Sequence, residues 1–214
     1  MRGLMMDVPL TIRGILERAA VLFPEKEIVT RTASGLHRYT YGDLHARACR
    51  LANALRILGV RPGERVGTFA WNSHRHLELY LAVPSSGAVV HTVNIRLFPD
   101  QVTYIVNHAA DAVLFVDDSL VAQLEPHADA LRTVRAFVVM GDDPLPATTL
   151  APIHRYEDLL AGSADTFDWP ELDENDAAGM CYTSGTTGNP RVWSTATAPS
   201  SCSASRRPWP IPSA

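Results

Sequence analysis

Residues 180–190 read Met-Cys-Tyr-Thr-Ser-Gly-Thr-Thr-Gly-Asn-Pro, a strand-like beginning that runs into a loop of hydroxyl residues and glycines. Glycines let the backbone approach a ligand closely and adopt positive φ angles. Consecutive backbone N–H groups in such a turn form a nest for anionic oxygens, and Ser and Thr hydroxyls add donors and can ligate Mg²⁺. The stretch therefore indicates a loop suited to a triphosphate, placed directly after a strand.

The spacing of the glycines separates this loop from the common nucleotide loop, which requires Gly-x-x-x-x-Gly-Lys-Ser/Thr before a helix. Here Gly185 and Gly188 lie three positions apart, and Pro190 follows. A flexible surface turn is the alternative interpretation of a short string of this composition. The longer string and the segments upstream of it favour the phosphate loop.

Upstream of the loop, candidate strands and helices alternate. Short apolar runs predict strands at 65–70, 88–93, 112–116, 134–140 and 179–183. Periodic apolar residues predict helices at 11–22, 44–58, 74–86, from Pro99 onward, and 120–131. Apolar strands separated by helices are typical of a parallel sheet built from βαβ units.

Four local signals refine this pattern. Thr40 and Asp43 resemble a capping box, and Gly59 stands where a left-handed helix C-cap is expected. Two short strands are expected at 28–31 and 37–40. Residues 141–176 predict a loop-rich excursion with one short helical pattern at 156–160.

The string Tyr-Thr-Ser-Gly-Thr-Thr-Gly-x-Pro at residues 182–190 resembles the signature loop of the adenylate-forming enzymes. This superfamily contains acyl-CoA synthetases, luciferases and the adenylation domains of peptide synthetases. Segments 36–44, 59–66 and 87–97 are similar to other segments of the family, and the resemblance extends over residues 4–191. It is greatest for bacterial medium- and long-chain fatty-acid–CoA ligases, on segments 4–10, 71–78 and 104–108.

The fold that this resemblance implies is α/β: the N-terminal part of the large domain of an adenylate-forming synthetase, truncated, with a mostly parallel sheet flanked by helices. The implied reaction has two steps. A fatty-acid carboxylate attacks the α-phosphorus of ATP to give acyl-AMP and pyrophosphate, and the thiol of CoA then displaces AMP. Charge neutralisation by a preorganised loop and by Mg²⁺ is the main task of the first step. Activation of an aryl acid or an amino acid is an alternative activity.

The resemblance also assigns roles within the loop. The residues expected to hold the β- and γ-phosphates are Thr183, Ser184, Gly185, Thr186, Thr187 and Gly188. Thr186 or Thr187 is expected beside Mg²⁺, and the sequence does not choose between them. Arg191 stands where the family has Lys, and Arg can still bind phosphate. The family's catalytic lysine belongs to a C-terminal lid, so no catalytic residue is assigned in this chain.

The sequence changes character after Arg191. Residues 192–214 contain six Ser, four Pro and no Asp, Glu or Gly, and no helix or strand period persists, which predicts a disordered tail. The family would continue Lys-Gly-Val-Val-Tyr-Ser-His-Arg, encoded for example by AAG GGT GTG GTC TAC AGC CAC CGC. Loss of one A changes this reading to Arg-Val-Trp-Ser-Thr-Ala-Thr, which matches residues 191–197.

We therefore expect a partial AMP-binding domain at 1–191, a frameshifted tail at 192–214, and an inactive, aggregation-prone polypeptide. A non-catalytic relic is the corresponding alternative.

The overall composition excludes several other classes. The 214 residues are 46% hydrophobic and 20% charged, with a net charge of -4, so there is no basic field for nucleic acid. Cys49, Cys181 and Cys202 are scattered, which suits a reducing compartment. No signal peptide or transmembrane run is found, so we expect a cytoplasmic protein whose membrane contact, if any, is peripheral. The resemblance also allows a homodimer.

Several other residues attract attention. His74, His76, His91 and His108 are expected to face solvent or cap helices rather than to bind metal. Cys181 is expected to be buried within its strand. Asp117 and Asp118 are expected to cap the element that follows them.

Overall fold

The apolar runs predicted as strands form the centre of a parallel sheet in the computed structural model, which describes residues 8–32, 34–183 and 191–196. The strands in these ranges are β1 (Glu27–Thr32), β2 (Gly35–Thr40), β3 (Arg65–Phe69), β4 (Val89–Thr92), β5 (Asp111–Asp117), β6 (Ala136–Met140), β7 (Ile153–Arg155), β8 (Ala177–Thr183) and β9 (Arg191–Ala196). The α-helices are α1 (Ile12–Leu22), α2 (Tyr41–Ile57), α3 (His74–Ser85), α4 (Pro99–Ala109), α5 (Val121–Leu124) and α6 (Tyr156–Ala161).

The main sheet has the order β7-β6-β5-β3-β4-β8-β9. All neighbours are parallel except β8 and β9, which pair antiparallel. Strands β1 and β2 form a separate antiparallel hairpin. The predicted α/β fold with a mostly parallel sheet flanked by helices is thus confirmed.

Helices cover both faces of the sheet. On one face α1, α2, α3 and α6 pack in a single apolar cluster with Val66 of β3 and Val113 of β5. On the other face α4 and α5 pack with Leu114 and Val116 of β5. Because successive strand residues point to opposite faces, β5 contributes to both clusters and needs an unbroken apolar sequence.

The local signals at α2 behave as predicted. The Thr40 Oγ1 atom accepts from the backbone N–H of Asp43 at 3.2 Å, and the Asp43 carboxylate accepts from the Thr40 N–H at 2.9 Å. Gly59 follows the C-cap with φ +74°, a conformation that side chains with a Cβ adopt only with strain.

The long helix predicted at 120–131 is wrong. The chain there forms a 3₁₀ turn at Asp118–Leu120, the single turn α5, and a second 3₁₀ segment at Glu125–Ala130. Pro126 explains the break, because it lacks an N–H and its ring clashes with the carbonyl four residues earlier. Strand β7 is not predicted from the sequence, because its three residues are too few to show a period.

The prediction that the tail is disordered from residue 192 onward is wrong for residues 192–196. These residues belong to β9, whose register pairs Thr183 with Arg191 and Ala177 with Ala196. The edge of β8 offers unpaired backbone groups, and Val, Trp and Thr in this short segment favour strand conformation. Residues 197–214 lie outside the described residues.

Candidate functional site

The predicted phosphate loop is attached to the carboxyl end of β8. Thr183 is the last residue of β8 and is exposed, and it pairs with the backbone of Arg191 at the start of β9. Strand β8 is parallel to β4, so its carboxyl end lies at the edge of the sheet where α/β folds bind ligands. The structure therefore brings together the two ends of the predicted loop, Thr183 and Arg191. Ser184, Gly185, Thr186, Thr187 and Gly188 lie outside the described residues, and their phosphate and Mg²⁺ roles stay predictions.

Tyr182 fixes β8 to α4 just below this loop. Its hydroxyl lies 2.6 Å from Nδ1 of His108, near the end of α4. The His108 ring in turn stacks on Tyr104, with ring centroids 5.3 Å apart. Burial, together with the nearby Asp111 carboxylate, raises the pKa of Tyr182, so its phenol is protonated and can donate at neutral pH.

A buried His–Asp pair lies next to the Tyr182 ring. Nδ1 of His91 lies 2.7 and 2.9 Å from the two carboxylate oxygens of Asp111, and both side chains are fully buried. Burial raises the pKa of Asp111, opposed by the contact with His91. The His91 ring centroid is 5.2 Å from that of Tyr182. The contact between His91 and Asp111 crosses β3, because His91 belongs to β4, Asp111 belongs to β5, and β3 lies between these two strands.

The expectation that the histidines face solvent or cap helices is wrong for three of them. His74, His76 and His91 are buried. His74 stacks on His37 with centroids 3.9 Å apart, and burial lowers the pKa of His74 to about 3. Nε2 of His76 lies 3.1 Å from the Thr68 hydroxyl. In the described ranges no group of three or more His, Cys, Asp or Glu side chains is arranged to hold a metal ion.

The expectation that Cys181 is buried within its strand is also wrong, because Cys181 is exposed. It lines a groove of 160 Å³ with Tyr80, Thr92 and Thr195 on the face of β8 opposite Tyr182. That face of β8 is open, which its sequence does not show. The expectation for Asp117 is confirmed, since its carboxylate accepts from the backbone N–H of Ser119 at 3.2 Å.

The sequence analysis missed a larger cavity at the carboxyl ends of β3, β5 and β6. It has a volume of 540 Å³ and a mixed-charge lining that includes Arg31, Arg75, Asp117, Asp118 and Asp142. Arg75 is already paired, 2.7 Å from Asp142 and 2.7 Å from Glu157. The signal that could have revealed it is that polar residues follow each of these three strands within three positions.

Comparison with known proteins places this geometry in a family. Residues 16–193 match the AMP-binding enzyme family, so the chain belongs to that family. The chain is 48% identical over 188 residues to a long-chain-fatty-acid–CoA ligase of Thermus thermophilus, covering 87% of this chain and 33% of the relative. It is 44% identical to a 3-methylmercaptopropionyl-CoA ligase of Ruegeria lacuscaerulensis, with 89% and 36% covered. A medium-chain-fatty-acid–CoA ligase of Ectopseudomonas oleovorans is 42% identical, with 89% and 35% covered.

A solved structure agrees with the family assignment. The crystal structure of the anthranilate CoA ligase AuaEII in complex with anthranoyl-AMP superimposes with a TM-score of 0.80 at 26% identity, covering 89% of this chain and 36% of the other. The fold is therefore that of the N-terminal portion of an adenylate-forming synthetase. The chain spans about a third of the length of the relatives it matches. None of the helices in the described part of the chain has the length and hydropathy needed to cross a membrane.

Proposed function

We propose that this protein, with its reading frame restored beyond residue 191, activates a fatty acid with ATP and CoA. The carboxylate oxygen attacks the α-phosphorus of ATP, the bond to the bridging oxygen breaks, and pyrophosphate leaves. The sulfur of CoA then attacks the acyl carbon, and AMP leaves with the electron pair of the broken bond. The observation that carries the proposal is the position of the loop, closed between Thr183 and Arg191 at the carboxyl end of β8.

Within this proposal the loop residues Thr183–Gly188 hold the β- and γ-phosphates through backbone N–H groups and hydroxyls, and Arg191 adds a cation. The donor set fits Mg²⁺, because hydroxyl and phosphate oxygens are the hard ligands that Mg²⁺ takes, and the Thr183 residue at the base of the loop is exposed. Mg²⁺ bound beside Thr186 or Thr187 would neutralise phosphate charge.

Calorimetric titration of the 214-residue protein with ATP and Mg²⁺ tests the loop. We expect binding, and a loss of at least about tenfold in affinity for Thr186→Ala and for Thr187→Ala, because each removes an oxygen next to a polyanion. Thr149→Ala is the matched control, since Thr149 is an exposed loop threonine away from β8. Failure of the unaltered protein to bind ATP would contradict the loop assignment.

The substrate class is supported by the relatives named for medium- and long-chain fatty acids, at 42% and 48% identity. A second candidate is a short thioether acid, favoured by the 44% identity to the 3-methylmercaptopropionyl-CoA ligase. An aryl acid has weaker support, with 32% identity to a hydroxybenzoate–CoA ligase of Thauera aromatica. Pyrophosphate release by the protein with its reading frame restored, measured with octanoate, palmitate, 3-methylmercaptopropionate and benzoate, discriminates among them. We expect the largest kcat/KM with a fatty acid.

We also propose that the AMP-binding part ends at residue 191 and that residues 192–214 follow a one-nucleotide frame change. The match to the family stops at residue 193, which supports this boundary. Resequencing the gene across codons 185–214 is the direct test. An additional A at codon 191 would restore Lys-Gly-Val-Val-Tyr-Ser-His-Arg, and the acid panel should then give product with the restored protein and none with the 214-residue chain. If related strains encode residues 192–214 without any shift, the frame change is ruled out.

We also propose that this activity is cytoplasmic. Sedimentation of the purified protein would show whether it forms the homodimer that the family resemblance allows.

A further inference from the structure

Tyr182 directly precedes Thr183, the first residue of the predicted phosphate loop, so its position affects where the loop begins. In the hairpin its backbone pairs with Val192, one step below the Thr183–Arg191 pair that closes the loop. We propose that Tyr182 and His108 are positioning residues for the phosphates of ATP: their hydrogen bond holds the end of β8, and so the start of the loop, against α4. The proposal rests on the proposed function of the loop.

The contact itself is short and joins two separate elements. The Tyr182 hydroxyl and the His108 Nδ1 atom are 2.6 Å apart, although the residues are 74 positions apart in the chain. A protonated phenol donates well to the unprotonated nitrogen of a neutral imidazole. The two rings also meet edge to face, with centroids 5.7 Å apart. Among the described side-chain hydrogen bonds, the one from the Tyr182 hydroxyl is the single polar link between the end of β8 and α4.

Helix α4 is a rigid support for this link. Val102, Ile105 and Val106 are buried in the apolar cluster on its face of the sheet. At its C-terminal end the guanidinium of Arg65 donates to the carbonyl oxygens of Ala109 and Ala110. His108 lies directly before these two residues, in the part of α4 that Arg65 ties to β3.

The Tyr182 ring also lies close to His91, with ring centroids 5.2 Å apart. The hydrogen bond that Nδ1 of His91 shares between the two carboxylate oxygens of Asp111 crosses β3 above Gly67. A Cβ atom at Gly67 would lie 2.7 Å from a carboxylate oxygen of Asp111, so only glycine leaves room for the pair. Nε2 of His91 is buried and has no hydrogen-bond partner among the described residues. His91 and Asp111 thus form a rigid buried pair beside the Tyr182 ring, and the pair does not extend into a wider polar network among the described residues.

These contacts determine where the loop begins. Because strand side chains alternate, holding Tyr182 toward α4 directs Thr183 to the other face of β8. Binding sites need their groups held to within about 0.5 Å by supporting contacts. Loss of the Tyr182 hydroxyl should therefore weaken phosphate binding without removing any group that touches phosphate.

The test is calorimetric titration of the 214-residue protein and its variants with ATP and Mg²⁺. We expect Tyr182→Phe and His108→Leu each to raise the Kd for ATP about three- to tenfold, as loss of one hydrogen bond predicts. His108→Asn should stay within about twofold of the unaltered protein, because its amide oxygen can accept near the position of Nδ1. The double variant Tyr182→Phe/His108→Leu should be no worse than the worse single variant, since both remove the same contact.

Tyr80→Phe is the matched control. Tyr80 also lies beside β8, but it lines the groove with Cys181 on the opposite face. Its loss of a hydroxyl should leave the Kd for ATP unchanged. An equal loss of affinity in Tyr80→Phe, or no loss in Tyr182→Phe, would overturn the proposal, and so would a lowered melting temperature of Tyr182→Phe with an unchanged Kd.

A second measurement separates this proposal from the proposed function. If the unaltered protein does not bind ATP, the loop assignment fails, while amide hydrogen exchange without nucleotide still tests the positioning role. We then expect faster exchange at Thr183 and across 191–194 in Tyr182→Phe, and not in Tyr80→Phe. Unchanged exchange in Tyr182→Phe would overturn the positioning role by itself.

Discussion

Strands β5 and β8 belong to the same parallel sheet and have the same length, yet their environments differ. Residues 111–116 of β5 are all buried, whereas β8 alternates buried Ala178 and Met180 with exposed Cys181 and Thr183. Helices cover β5 from both sides, while one face of β8 is open next to the candidate site. Strand β5, buried on both faces, thus stabilises the fold, whereas β8, covered on one face, leads into the predicted phosphate loop.

The largest expected difference concerns core side chains. Phe115 of β5 is completely buried, and Phe115→Ala should lower the free energy of unfolding by about 3–5 kcal/mol through lost burial and a cavity. Cys181→Ala on the exposed face of β8 should change it by less than about 0.5 kcal/mol. Urea denaturation followed by circular dichroism measures both. Similar losses at the two positions would remove the distinction between the strands.

Glycines provide a second comparison of the same kind. A Cβ at Gly67 in β3 would lie 2.7 Å from both Asp111 and Leu114, whereas a Cβ at Gly179 in β8 would first meet the Thr195 hydroxyl at 3.1 Å. We expect Gly67→Ala to destabilise the protein by about 1–3 kcal/mol through overpacking. Gly179→Ala should cost less, because Thr195 is exposed and can move. Thermal unfolding of the two variants would contradict the comparison if their order were reversed.

The covered interior should also respond to pH. His74 is buried and its pKa is lowered to about 3, first by desolvation and then by Arg75. The native state therefore binds its proton less well than the unfolded state, and stability is lost as pH falls below the unfolded pKa of about 6.5.

Between pH 7 and 5.5 this group should lower the free energy of unfolding by about 1 kcal/mol. Urea midpoints of the unaltered protein and of His74→Phe, which keeps a ring beside His37, measure the difference. The variant should lose less stability over this interval, and parallel pH curves would exclude His74 as the cause.

The smallest expected effect is a difference in chemical reactivity between two thiols. Cys181 is exposed on β8, whereas Cys49 in α2 is buried and burial raises the pKa of its thiol. In a Cys202→Ser background, N-ethylmaleimide should modify Cys181 in the folded protein and Cys49 only after denaturant is added, because the thiolate is the reactive form and needs access. Peptide mass spectrometry identifies the modified site. Equal labelling rates without denaturant would show that the Cys181 face of β8 is no more accessible than the buried face of α2.

Local sequence predicts much of this molecule. The apolar runs at 65–70, 112–116 and 134–140 become β3, β5 and β6, since a strand covered on both faces must be apolar throughout. The capping box at Thr40 and the positive φ of Gly59 depend on neighbours within a few residues. The family match on residues 16–193 likewise confirms the family that the string at 182–190 indicates.

The errors have a common physical cause. The burial of His91 depends on Asp111 and on the space above Gly67, which come from three different strands. The exposure of Cys181 depends on which helices reach β8. β9 forms because β8 offers a free edge, and that pairing overrides a composition typical of disorder.

The sequence by itself determined the α/β class, most of the strand and helix order, the caps of α2 and the residue types of the loop after Thr183, because these follow from side-chain periodicity and from residues adjacent in the chain. Only the tertiary structure decided that Tyr182 meets His108, that His91 meets Asp111, and that Thr183 and Arg191 close the loop. The physical reason is that these contacts join separate elements of the sheet and its helices, and strand order and packing bring them together.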